Sequence, residues 1–360
     1  MRKILIILGS LDLGGTEKQL FKILKKIDKD FDIHLALVWK KGKLYKDFKN
    51  LNIKIYKTFE RKKYNSKLLG IMSELWGLKK KISPKIIHYY LPHAYLIGGF
   101  LSIFKDKITF FMSRRSMNNY QKKIFAIKFI EIFLHKKMDL IIGNSSKVID
   151  QLVNEEFVKK EKCLLIYNGV EKQKFIKRRK KRVVNIIMLA NFISYKNHRM
   201  AIEAFSLLDK TLNWRLSLIG NHTDKKLVYS LINLTIKLKL KKQVLFVGQI
   251  ENINSYLKKA DIGILSSNEE GFSNSLLEYM SFSLPVIATD VGGNSDLISE
   301  NSDGFLVKQN DAMNFSQKLH RLISDYDLRI KLGKNGNRKI NDKFDIIKCA
   351  NTYKKLYKSM

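Results

Sequence analysis

The 360-residue sequence has few cysteines, few prolines and no long apolar run. Its two cysteines, Cys163 and Cys349, form no closely spaced pair, which excludes a disulfide framework and a thiolate zinc site and favours a reducing cytoplasm. The longest apolar stretch, LIGGFLSIF at 96–104, is far shorter than the roughly 20 residues that span a bilayer. The N-terminal run Ile4–Leu8 is shorter than the apolar core of a signal peptide, about 7–15 residues, and is typical of a buried parallel strand. We therefore expect a soluble or peripheral cytoplasmic protein.

Acidic residues are also scarce. The sequence has 33 Asp and Glu against 68 Lys and Arg, which gives a formal net charge of +35. A surface this basic attracts phosphates, nucleic acid or anionic lipid. The excess has a compositional explanation as well: 56 of the 68 cations are lysine and isoleucine and asparagine are abundant, as an AT-rich coding sequence produces. The charge alone does not distinguish a binding function from this bias.

Short β-rich runs alternate with helical patterns in both halves of the chain. The runs that predict strands are 3–8, 32–39, 53–56, 85–90, 107–112, 139–144 and 163–169 in the first half, and 183–190, 214–220, 243–248, 262–267, 285–290 and 304–307 in the second. This βαβ rhythm, present twice, predicts an α/β protein with two doubly wound parallel sheets.

The same pattern predicts where the domains begin and end. We expect an N-terminal domain over 1–172, a solvated basic linker over 173–182, a C-terminal domain over 183–340 and a final helix over 341–360. The helical stretch 311–357 contains no proline, and Gly333 and Gly336 offer a bend in it. Its last part is predicted to cross back onto the N-terminal domain.

One region of this basic sequence is rich in acidic residues. Residues 251–300 contain two lysines and eight Asp and Glu, and Glu270 and Glu278 lie around the predicted start of a helix near Ser273. The amides of a helix N-terminus suit a diphosphate; Glu278 can then accept hydrogen bonds from a ribose diol, and Glu270 can reach the sugar beyond. The alternative is that the acids only favour the helix N-terminus electrostatically, which explains one acid but not the second at this spacing.

Two further turns carry candidate ligand groups. Gly14 and Gly15 precede a helix that opens at Thr16, where backbone without a Cβ can approach an anion, although a glycine turn after a first strand is common. Lys196 lies in the loop after the strand 183–190, where a lysine can neutralise a phosphate as a compact charge.

Seven segments of the chain resemble those of a known family. The matching segments, in order, are GGTEKQL, NSSKVIDQL, IYNGVE, LANFISYKNH, LSLIG, VLFVG and EEGFSNSLLEYMSFSLPVIATDVGGNSDLI. In their joint order and spacing the sequence is similar to a retaining glycosyltransferase of family 4, the glycosyl transferases group 1 type. The resemblance as a whole covers about residues 3 to 345. The resemblance implies the GT-B fold, with two Rossmann-like domains facing across a cleft.

The resemblance also implies substrates and roles. It implies a nucleotide-sugar donor and a saccharide or lipid-linked acceptor, with no metal or other cofactor, and a catalytic set of Glu270, Lys196 and Arg114. Glu270 would contact the transferred sugar, Lys196 the diphosphate and Glu278 the ribose. The other implied donor-binding residues are Gly14, Gly15, Asn191, Phe272, Ser273, Asn274, Ser275 and Leu276.

The sequence departs from the family pattern at two places. Asn191 stands where the family usually has an arginine, five residues before the lysine, so the diphosphate would lose a guanidinium. Arg114 or Arg115 occupies about the place of a histidine that often follows the strand at 107–112. His93 and Arg115 are therefore candidates for acceptor or cleft contacts.

The leading hypothesis is sugar transfer with retained anomeric configuration, in bacterial cell-surface polysaccharide or lipopolysaccharide synthesis. The alternatives are a nucleotide-sugar epimerase of the same fold and a basic polyanion-binding protein. For nucleic acid the sequence offers neither a recognition helix nor a stacking motif, so no nucleic-acid partner is expected.

An anionic membrane surface is a further candidate partner. Residues 114–137 combine seven Lys and Arg with a single acid around the apolar residues Ile124, Phe125, Ile127, Phe129, Ile130, Ile132, Phe133 and Leu134. Such a segment can lie at the inner face of the cytoplasmic membrane, its lysine stems reaching to the headgroups. The alternative is a helix buried in the N-terminal domain.

Overall fold

A computed structural model of the chain describes residues 1–58, 67–104, 107–222, 224–250 and 252–360, with only the backbone of Lys123. These residues form two compact units. The N-terminal unit consists of Met1–Gly169 and Ile346–Met360, and the C-terminal unit of Val170–Asp345. None of the helices in these ranges combines the length and the apolar character needed to cross a membrane.

The N-terminal unit contains a seven-stranded parallel sheet in the order β3-β2-β1-β4-β5-β6-β7. Its strands are β1 (Lys3–Ser10), β2 (Asp32–Lys40), β3 (Ile53–Lys57), β4 (Ile86–Tyr90), β5 (Thr109–Arg114), β6 (Leu140–Gly143) and β7 (Cys163–Leu165). Its helices before the last segment are α1 (Gly15–Ile27), α2 (Tyr45–Lys49), α3 (Lys67–Ile82), α4 (Pro92–Gly98), α5 (Asn119–Lys123), α6 (Phe125–Lys137) and α7 (Ser146–Asn154).

The continuous apolar run of β1 is buried on both faces of this sheet. Ile4, Ile6 and Leu8 belong to one core cluster, whereas Leu5 and Ile7 belong to a second. This division follows from the two-residue period of a strand, which sends alternate side chains to opposite faces. A strand that is covered on both faces has no polar side to show, as in other parallel sheets.

The C-terminal unit contains a six-stranded parallel sheet in the order β10-β9-β8-β11-β12-β13. Its strands are β8 (Val184–Leu189), β9 (Trp214–Ile219), β10 (Val244–Gly248), β11 (Ile262–Leu265), β12 (Val286–Thr289) and β13 (Gly304–Val307). Its helices are α8 (His198–Ser206), α9 (Lys225–Lys237), α10 (Asn254–Lys259), α11 (Asn274–Ser281), α12 (Asn294–Leu297), α13 (Ala312–Ser324) and α14 (Tyr326–Lys343). The strand order reverses between β8 and β11, which is where ligands bind in open α/β sheets.

The last helix, α15 (Ile346–Ser359), belongs to the N-terminal unit, although the preceding 176 residues form the other unit. Its buried residues Ile346, Cys349, Ala350, Tyr353 and Tyr357 recur at the spacing of one helix face and join the same core cluster as Ile4 of β1. The hydroxyl of Tyr357 lies 2.7 Å from Nδ1 of the buried His88.

The thirteen strands predicted from the sequence are all present, and the largest difference is at β7, which ends at Leu165 rather than at residue 169. The two cysteines form no disulfide, as predicted. The helical stretch predicted over 311–357 is correct in type but is divided differently. Helices end at Ser324 and Lys343, and no break occurs at the two glycines.

The expected bend at Gly333 and Gly336 is wrong, because both lie inside α14, and Gly333 is needed there for close packing. A Cβ atom on Gly333 would lie 2.2 Å from the carbonyl oxygen of Ser283. The missing side chain therefore allows α14 to approach the turn after α11, and it does not bend the helix.

Most of the predicted basic linker, residues 173–182, is exposed, but Arg178 anchors the segment to the C-terminal unit. The Arg178 guanidinium donates to the carbonyl oxygens of Ser283 at 3.1 Å and Phe282 at 2.8 Å, and to others at the ends of α10 and α11. Lys181 forms an ion pair with the buried Asp261 at 3.0 Å. A planar guanidinium with five donors can satisfy several carbonyl groups at once. Arg178 therefore caps the C-terminal carbonyl groups of α10 and α11.

Candidate active site

The acidic segment forms a loop and a helix start after β11. Ser273 caps α11: its Oγ accepts a hydrogen bond from the amide of Leu276 at 3.2 Å. The helix therefore begins where the sequence predicted, with Glu270 in the loop and Glu278 one turn into the helix. Asn274, Ser275 and Glu278 are half-buried.

Lys196 and Glu270 form an ion pair, with Nζ of the lysine 2.5 Å from Oε1 of the glutamate. Their side chains are 17% and 10% exposed, so solvent screens the pair less than it would at an open surface. The hydroxyl of Ser267 donates to the same carboxylate oxygen at 2.7 Å. Burial of the ammonium favours its neutral form, but the Glu270 carboxylate outweighs this and raises the pKa of Lys196.

The backbone that carries this pair is held across β8 and β11. The hydroxyl of Ser266 donates to the carbonyl oxygens of Lys196 at 3.1 Å and Asn197 at 2.9 Å. The amide of Asn268 donates to the carbonyl oxygen of Tyr195 at 2.7 Å. Residues that follow two neighbouring strands are thereby fixed to each other at the carboxyl edge of the sheet.

Asn197 is a positioning residue that the sequence analysis missed. Its backbone has φ +46°, and its Oδ1 caps α8 by accepting from the amide of Met200 at 3.2 Å. Its Nδ2 donates to Oδ1 of Asn268 at 3.1 Å and of Asn310 at 2.9 Å. Asparagine tolerates the left-handed region and is a preferred helix cap, so its place just before a helical pattern was a usable signal.

Gly292 is a second missed residue, in the loop after β12. Its φ of +50° lies in the left-handed region, and a Cβ atom there would lie 1.6 Å from the carbonyl oxygen of Glu270. The amide of Gly293 donates to the carbonyl oxygen of Gly271 at 3.1 Å. The glycines after β12 therefore support the backbone of the loop that carries Glu270.

α11 is tied to the end of β8. Ser275 Oγ donates to the carbonyl oxygen of Leu189 at 2.6 Å, and the Tyr279 hydroxyl accepts from the amide of the same residue. A Cβ atom on Gly263 would lie 2.4 Å from the Tyr279 ring, so the glycine in β11 makes room for this tyrosine. The start of α11 is thereby held against the edge of the sheet.

The expectation that the backbone amides of residues 272–276 bind the donor phosphates stays a prediction. The side chains of Phe272 and Leu276 are buried in the protein interior. The amide of Leu276 is already bonded to Ser273 Oγ. The half-buried side chains of Asn274 and Ser275 are the polar groups of this turn that lie nearer the surface.

Asn191 is exposed at the end of β8. Its Oδ1 accepts from the amide of Asn221 at 3.1 Å, and the amide of Phe192 donates to the carbonyl oxygen of Asn221 at 3.0 Å. This asparagine therefore joins the loops that follow β8 and β9. A short side chain held in this way replaces the guanidinium that the family pattern leads one to expect.

Gly14 and Gly15 lie in the N-terminal unit, at the start of α1. A Cβ atom on Gly14 would lie 2.1 Å from Oε2 of Glu17, so the carboxyl group of Glu17 lies directly over this glycine. Burial raises the pKa of Glu17 from 4.5 to about 7, and the nearby Asp12 adds to the shift. The glycine turn thus accommodates a buried acid of its own helix.

Glu17→Gln is expected to remove a pH dependence of stability. Because the folded-state pKa is raised, Glu17 keeps its proton in the native state between about pH 4.5 and 7 while the unfolded chain loses it. The free energy of unfolding therefore decreases as pH rises through this window, by up to about 3 kcal/mol from this group. Urea unfolding of both proteins at several pH values measures the difference. If that difference is constant from pH 5 to 8, the shifted pKa is contradicted.

Arg114 is corrected from a catalytic to a structural residue. It is 1% exposed in the N-terminal unit, and its guanidinium donates to Glu131 at 3.2 Å and also to Glu156 and Tyr120. Burial favours the protonated carboxyl of Glu156, but Arg114 outweighs this and lowers the pKa of that group. A guanidinium that is buried and hydrogen-bonded to two carboxylates is not available to a substrate.

Arg115 and His93 have different surroundings. Arg115 is buried and donates to Oδ1 of Asn168 at 2.7 Å and to the Tyr353 hydroxyl at 2.6 Å. It therefore links β5 to the segment after β7 and to α15, and the expectation of an acceptor contact is corrected to a packing role. His93 is exposed in the first turn of α4, and its role in acceptor binding stays a prediction.

One cluster of the described residues has the spacing of a metal site. Glu131, His135 and Glu156 bring one ligand atom each to within 4.8 Å of the others, and all three are buried. Arg114 donates to both carboxylates, and His135 Nε2 lies 2.8 Å from Glu156. The Glu156 carboxylate can only accept, so the ring of His135 donates this bond, and burial lowers the pKa of His135. The arginine supplies the positive charge that the carboxylates need, which indicates a structural ion network.

The sequence is similar to a known family and to characterised bacterial proteins. Residues 169–339 match the family described as glycosyl transferases group 1. The chain is 24% identical over 378 residues to N-acetyl-alpha-D-glucosaminyl L-malate synthase of Bacillus anthracis, which covers 97% of this chain and 93% of the relative. It is 27% identical over 373 residues to N-acetylgalactosamine-N,N'-diacetylbacillosaminyl-diphospho-undecaprenol 4-alpha-N-acetylgalactosaminyltransferase of Campylobacter jejuni, which covers 97% and 98%.

Among solved structures, Anabaena Alr3699/HepE in complex with UDP-glucose is similar with a TM-score of 0.86 and 16% identity, and both chains are covered completely. Each unit of this protein contains one doubly wound parallel sheet. Together with the similarity to this structure, the two sheets confirm the predicted α/β fold of GT-B type. The match of residues 169–339 contains β8 and β11, with the Lys196–Glu270 pair between their carboxyl ends. These findings support a glycosyltransferase, in which residues 169–339 match the family of glycosyl transferases group 1.

Proposed function

We propose that the protein transfers a sugar from a nucleoside diphosphate sugar to a hydroxyl group of a saccharide or lipid-linked acceptor, with retention of the anomeric configuration. The observation that carries this proposal is the Lys196–Glu270 ion pair beside the start of α11. It combines one cation, the amides of a helix N-terminus and a carboxylate at the reversal of strand order. These are groups that suit a diphosphate and the sugar attached to it.

In the proposed mechanism Lys196 stabilises the charge that develops on the leaving diphosphate. The amides at the start of α11 add to this stabilisation, and no metal ion is needed for it. Glu270 accepts hydrogen bonds from hydroxyl groups of the transferred sugar. Ser267 and Lys196 hold the carboxylate of Glu270 in one orientation, so the sugar meets a fixed acceptor group.

Retention is proposed to follow from attack on the face that the diphosphate leaves. The bond between the anomeric carbon and the phosphate oxygen breaks, and the acceptor oxygen forms its bond to that carbon on the same face. A phosphate oxygen of the leaving group takes the proton of the acceptor hydroxyl. This step needs a held diphosphate and no carboxylate nucleophile.

The acceptor class is inferred from relatives. The Campylobacter jejuni relative is named for a diphospho-undecaprenol acceptor, and the Bacillus anthracis relative for malate. The strongly basic composition, with a net charge of +35, favours an acceptor that carries phosphate or lies at an anionic membrane. We therefore favour a lipid-linked saccharide in bacterial cell-surface polysaccharide or lipopolysaccharide synthesis, at the inner face of the cytoplasmic membrane.

Donor binding and product stereochemistry test this proposal together. A thermal-shift screen of nucleoside diphosphate sugars is expected to find one that raises the melting temperature, because a ligand that binds the native state stabilises it. With that donor and a saccharide acceptor, proton NMR is expected to show a product with the donor's anomeric configuration. Inverted product contradicts retention. Conversion of the donor sugar without any acceptor supports the epimerase alternative.

Glu278→Ala is expected to weaken nucleotide binding by roughly 10- to 150-fold, because a ribose diol would lose a charged hydrogen-bond acceptor worth about 1.5–3 kcal/mol. Isothermal titration with the nucleoside diphosphate of the donor measures the change. Glu203→Ala is the matched control, since the carboxylate of this half-buried glutamate on α8 pairs only with the neighbouring Arg199 among the contacts described. Equal affinity of the Glu278 variant and the wild type would show that the ribose is bound elsewhere.

A further inference from the structure

The exposed face of α6 is apolar. The residues Phe125, Phe129, Ile130 and Phe133, which we call the α6 ridge, are 68%, 58%, 49% and 49% exposed. Their spacing places the three phenylalanines along one side of the helix, and the rings of Phe125 and Phe129 meet edge to face at 4.8 Å. The alternative from the sequence, a helix buried in the N-terminal domain, is therefore wrong for these side chains.

The inward face of α6 carries two polar side chains beside the core residue Leu134. Glu131 and His135, one turn apart, are 0% and 2% exposed. Glu131 accepts hydrogen bonds from Arg114 at 3.2 Å and from the Tyr120 hydroxyl at 2.7 Å, and His135 donates to Glu156. The helix thus buries its acid and its imidazole and exposes its largest apolar side chains, the reverse of an ordinary surface helix.

The buried network explains why the helix keeps this orientation. If α6 turned to bury the phenylalanines, Glu131 would leave Arg114, and a buried guanidinium would lose one of its two carboxylates. Removing one partner of a buried ion pair is strongly destabilising. The network in the interior therefore holds the α6 ridge at the surface, and Arg114 is a positioning residue for it.

The charges around the ridge indicate what covers it. Lys122 precedes α6 within α5, and Lys136 lies in its last turn; both are exposed. Lys137 Nζ lies 5.6 Å from the centre of the Phe133 ring, so the basic and apolar groups are adjacent. An apolar centre between ammonium groups is complementary to the surface of an anionic bilayer, where rings enter the acyl boundary and lysines reach the headgroups.

We propose that the α6 ridge inserts into an anionic membrane surface and that the Arg114–Glu131–Glu156 network holds it in the orientation that makes this possible. The inference deepens the proposed function, since a lipid-linked acceptor would lie in the same membrane. Vesicle binding is measured without donor or turnover. A failure of membrane binding is therefore distinguishable from a failure of the proposed sugar transfer.

Co-sedimentation with vesicles tests the proposal. The wild type is expected to bind vesicles of phosphatidylglycerol and phosphatidylcholine at low salt, and to bind pure phosphatidylcholine vesicles much less. Phe129→Ser combined with Phe133→Ser is expected to reduce the partition coefficient by at least about tenfold, with unchanged circular dichroism and melting temperature. Lys122→Glu combined with Lys136→Glu is expected to weaken binding most at low salt, where charge is least screened.

A matched control lies on α9 of the C-terminal unit, where Tyr229 and Ile236 are 67% and 50% exposed. Tyr229→Ser combined with Ile236→Ser is expected to bind vesicles like the wild type. The proposal is overturned if the wild type fails to bind anionic vesicles at low salt, or if this control loses as much binding as the α6 variant. It is also overturned if the α6 variant binds vesicles normally and only its self-association changes in analytical ultracentrifugation, which would make the ridge an interface between two copies.

Discussion

Lys196→Ala is expected to reduce turnover at saturating donor by about 100- to 1,000-fold, the range observed when one preorganised group is removed from a developing charge. The lysine ammonium is proposed to meet the diphosphate as it leaves, so its interaction is stronger in the transition state than with the bound donor. The same change removes the cation beside Glu270, which keeps only its bond from Ser267 Oγ among the contacts described. Some loss of stability is therefore expected as well, because the carboxylate is nearly buried.

Steady-state kinetics and urea unfolding separate these two effects. Glu270→Gln in the Lys196→Ala background removes the unpaired buried charge, so it is expected to restore stability but not turnover. Lys225→Ala, on the exposed side of α9, is the matched control among the many surface lysines and is expected to change neither quantity. A Lys196→Ala variant with wild-type turnover at saturating donor would leave Lys196 with no part in charge stabilisation.

Gly292→Ala is expected to reduce turnover at least about tenfold and the free energy of unfolding by about 2 kcal/mol or more. A left-handed backbone conformation already disfavours alanine by roughly 1–2 kcal/mol. The added methyl group would also lie 1.6 Å from the carbonyl oxygen of Glu270, which is backbone and cannot rotate away. Relief of this overlap requires the loop that carries Glu270 to move, and the carboxylate moves with it.

Gly77→Ala is the matched control for this change. Gly77 lies in α3, and a Cβ atom on it would meet nothing within 4 Å, so alanine is expected to be neutral or stabilising there. Kinetics with the donor found in the thermal-shift screen, together with urea unfolding, measure both variants. A Gly292→Ala enzyme that keeps full turnover would show that the position of the Glu270 backbone does not limit catalysis.

The strands and the place of the site were predictable because they depend on local information. Each predicted strand is a short apolar run of the kind seen at Ile4–Leu8, and a run buried on both faces of a parallel sheet needs no partner to be recognised. Glu270, Lys196 and Ser273 lie in the loops that follow β8 and β11. The carboxyl ends of parallel strands meet at one edge of the sheet, so the strand pattern placed these residues at the same edge. Their contact depends on β8 and β11 being neighbours in the folded sheet.

The positioning residues were less accessible to this reasoning. Gly292 supports Glu270 across 22 residues of sequence, and the contact exists only because β11 and β12 are neighbours. Asn197 could have been found from its capping position, although its bonds to Asn268 and Asn310 depend on the folded loops. Sequence spacing therefore identified which groups could do the chemistry, but not which groups hold them.

The sequence by itself determined the element order, the two parallel sheets and the residue types available at the carboxyl edge of the second sheet. Tertiary structure alone decided how the charged side chains are used. Lys196 forms an ion pair with Glu270 at the carboxyl edge of the second sheet. Arg114 instead forms ion pairs with Glu131 and Glu156 in the interior of the N-terminal unit. Local patterns report periodicity and capping, but a charge acquires its role from partners brought close by chain segments far apart in sequence. For the same reason the helical period of α6 could not reveal that Glu131 and His135 are buried, because their partners in the Arg114 network lie on other segments of the chain.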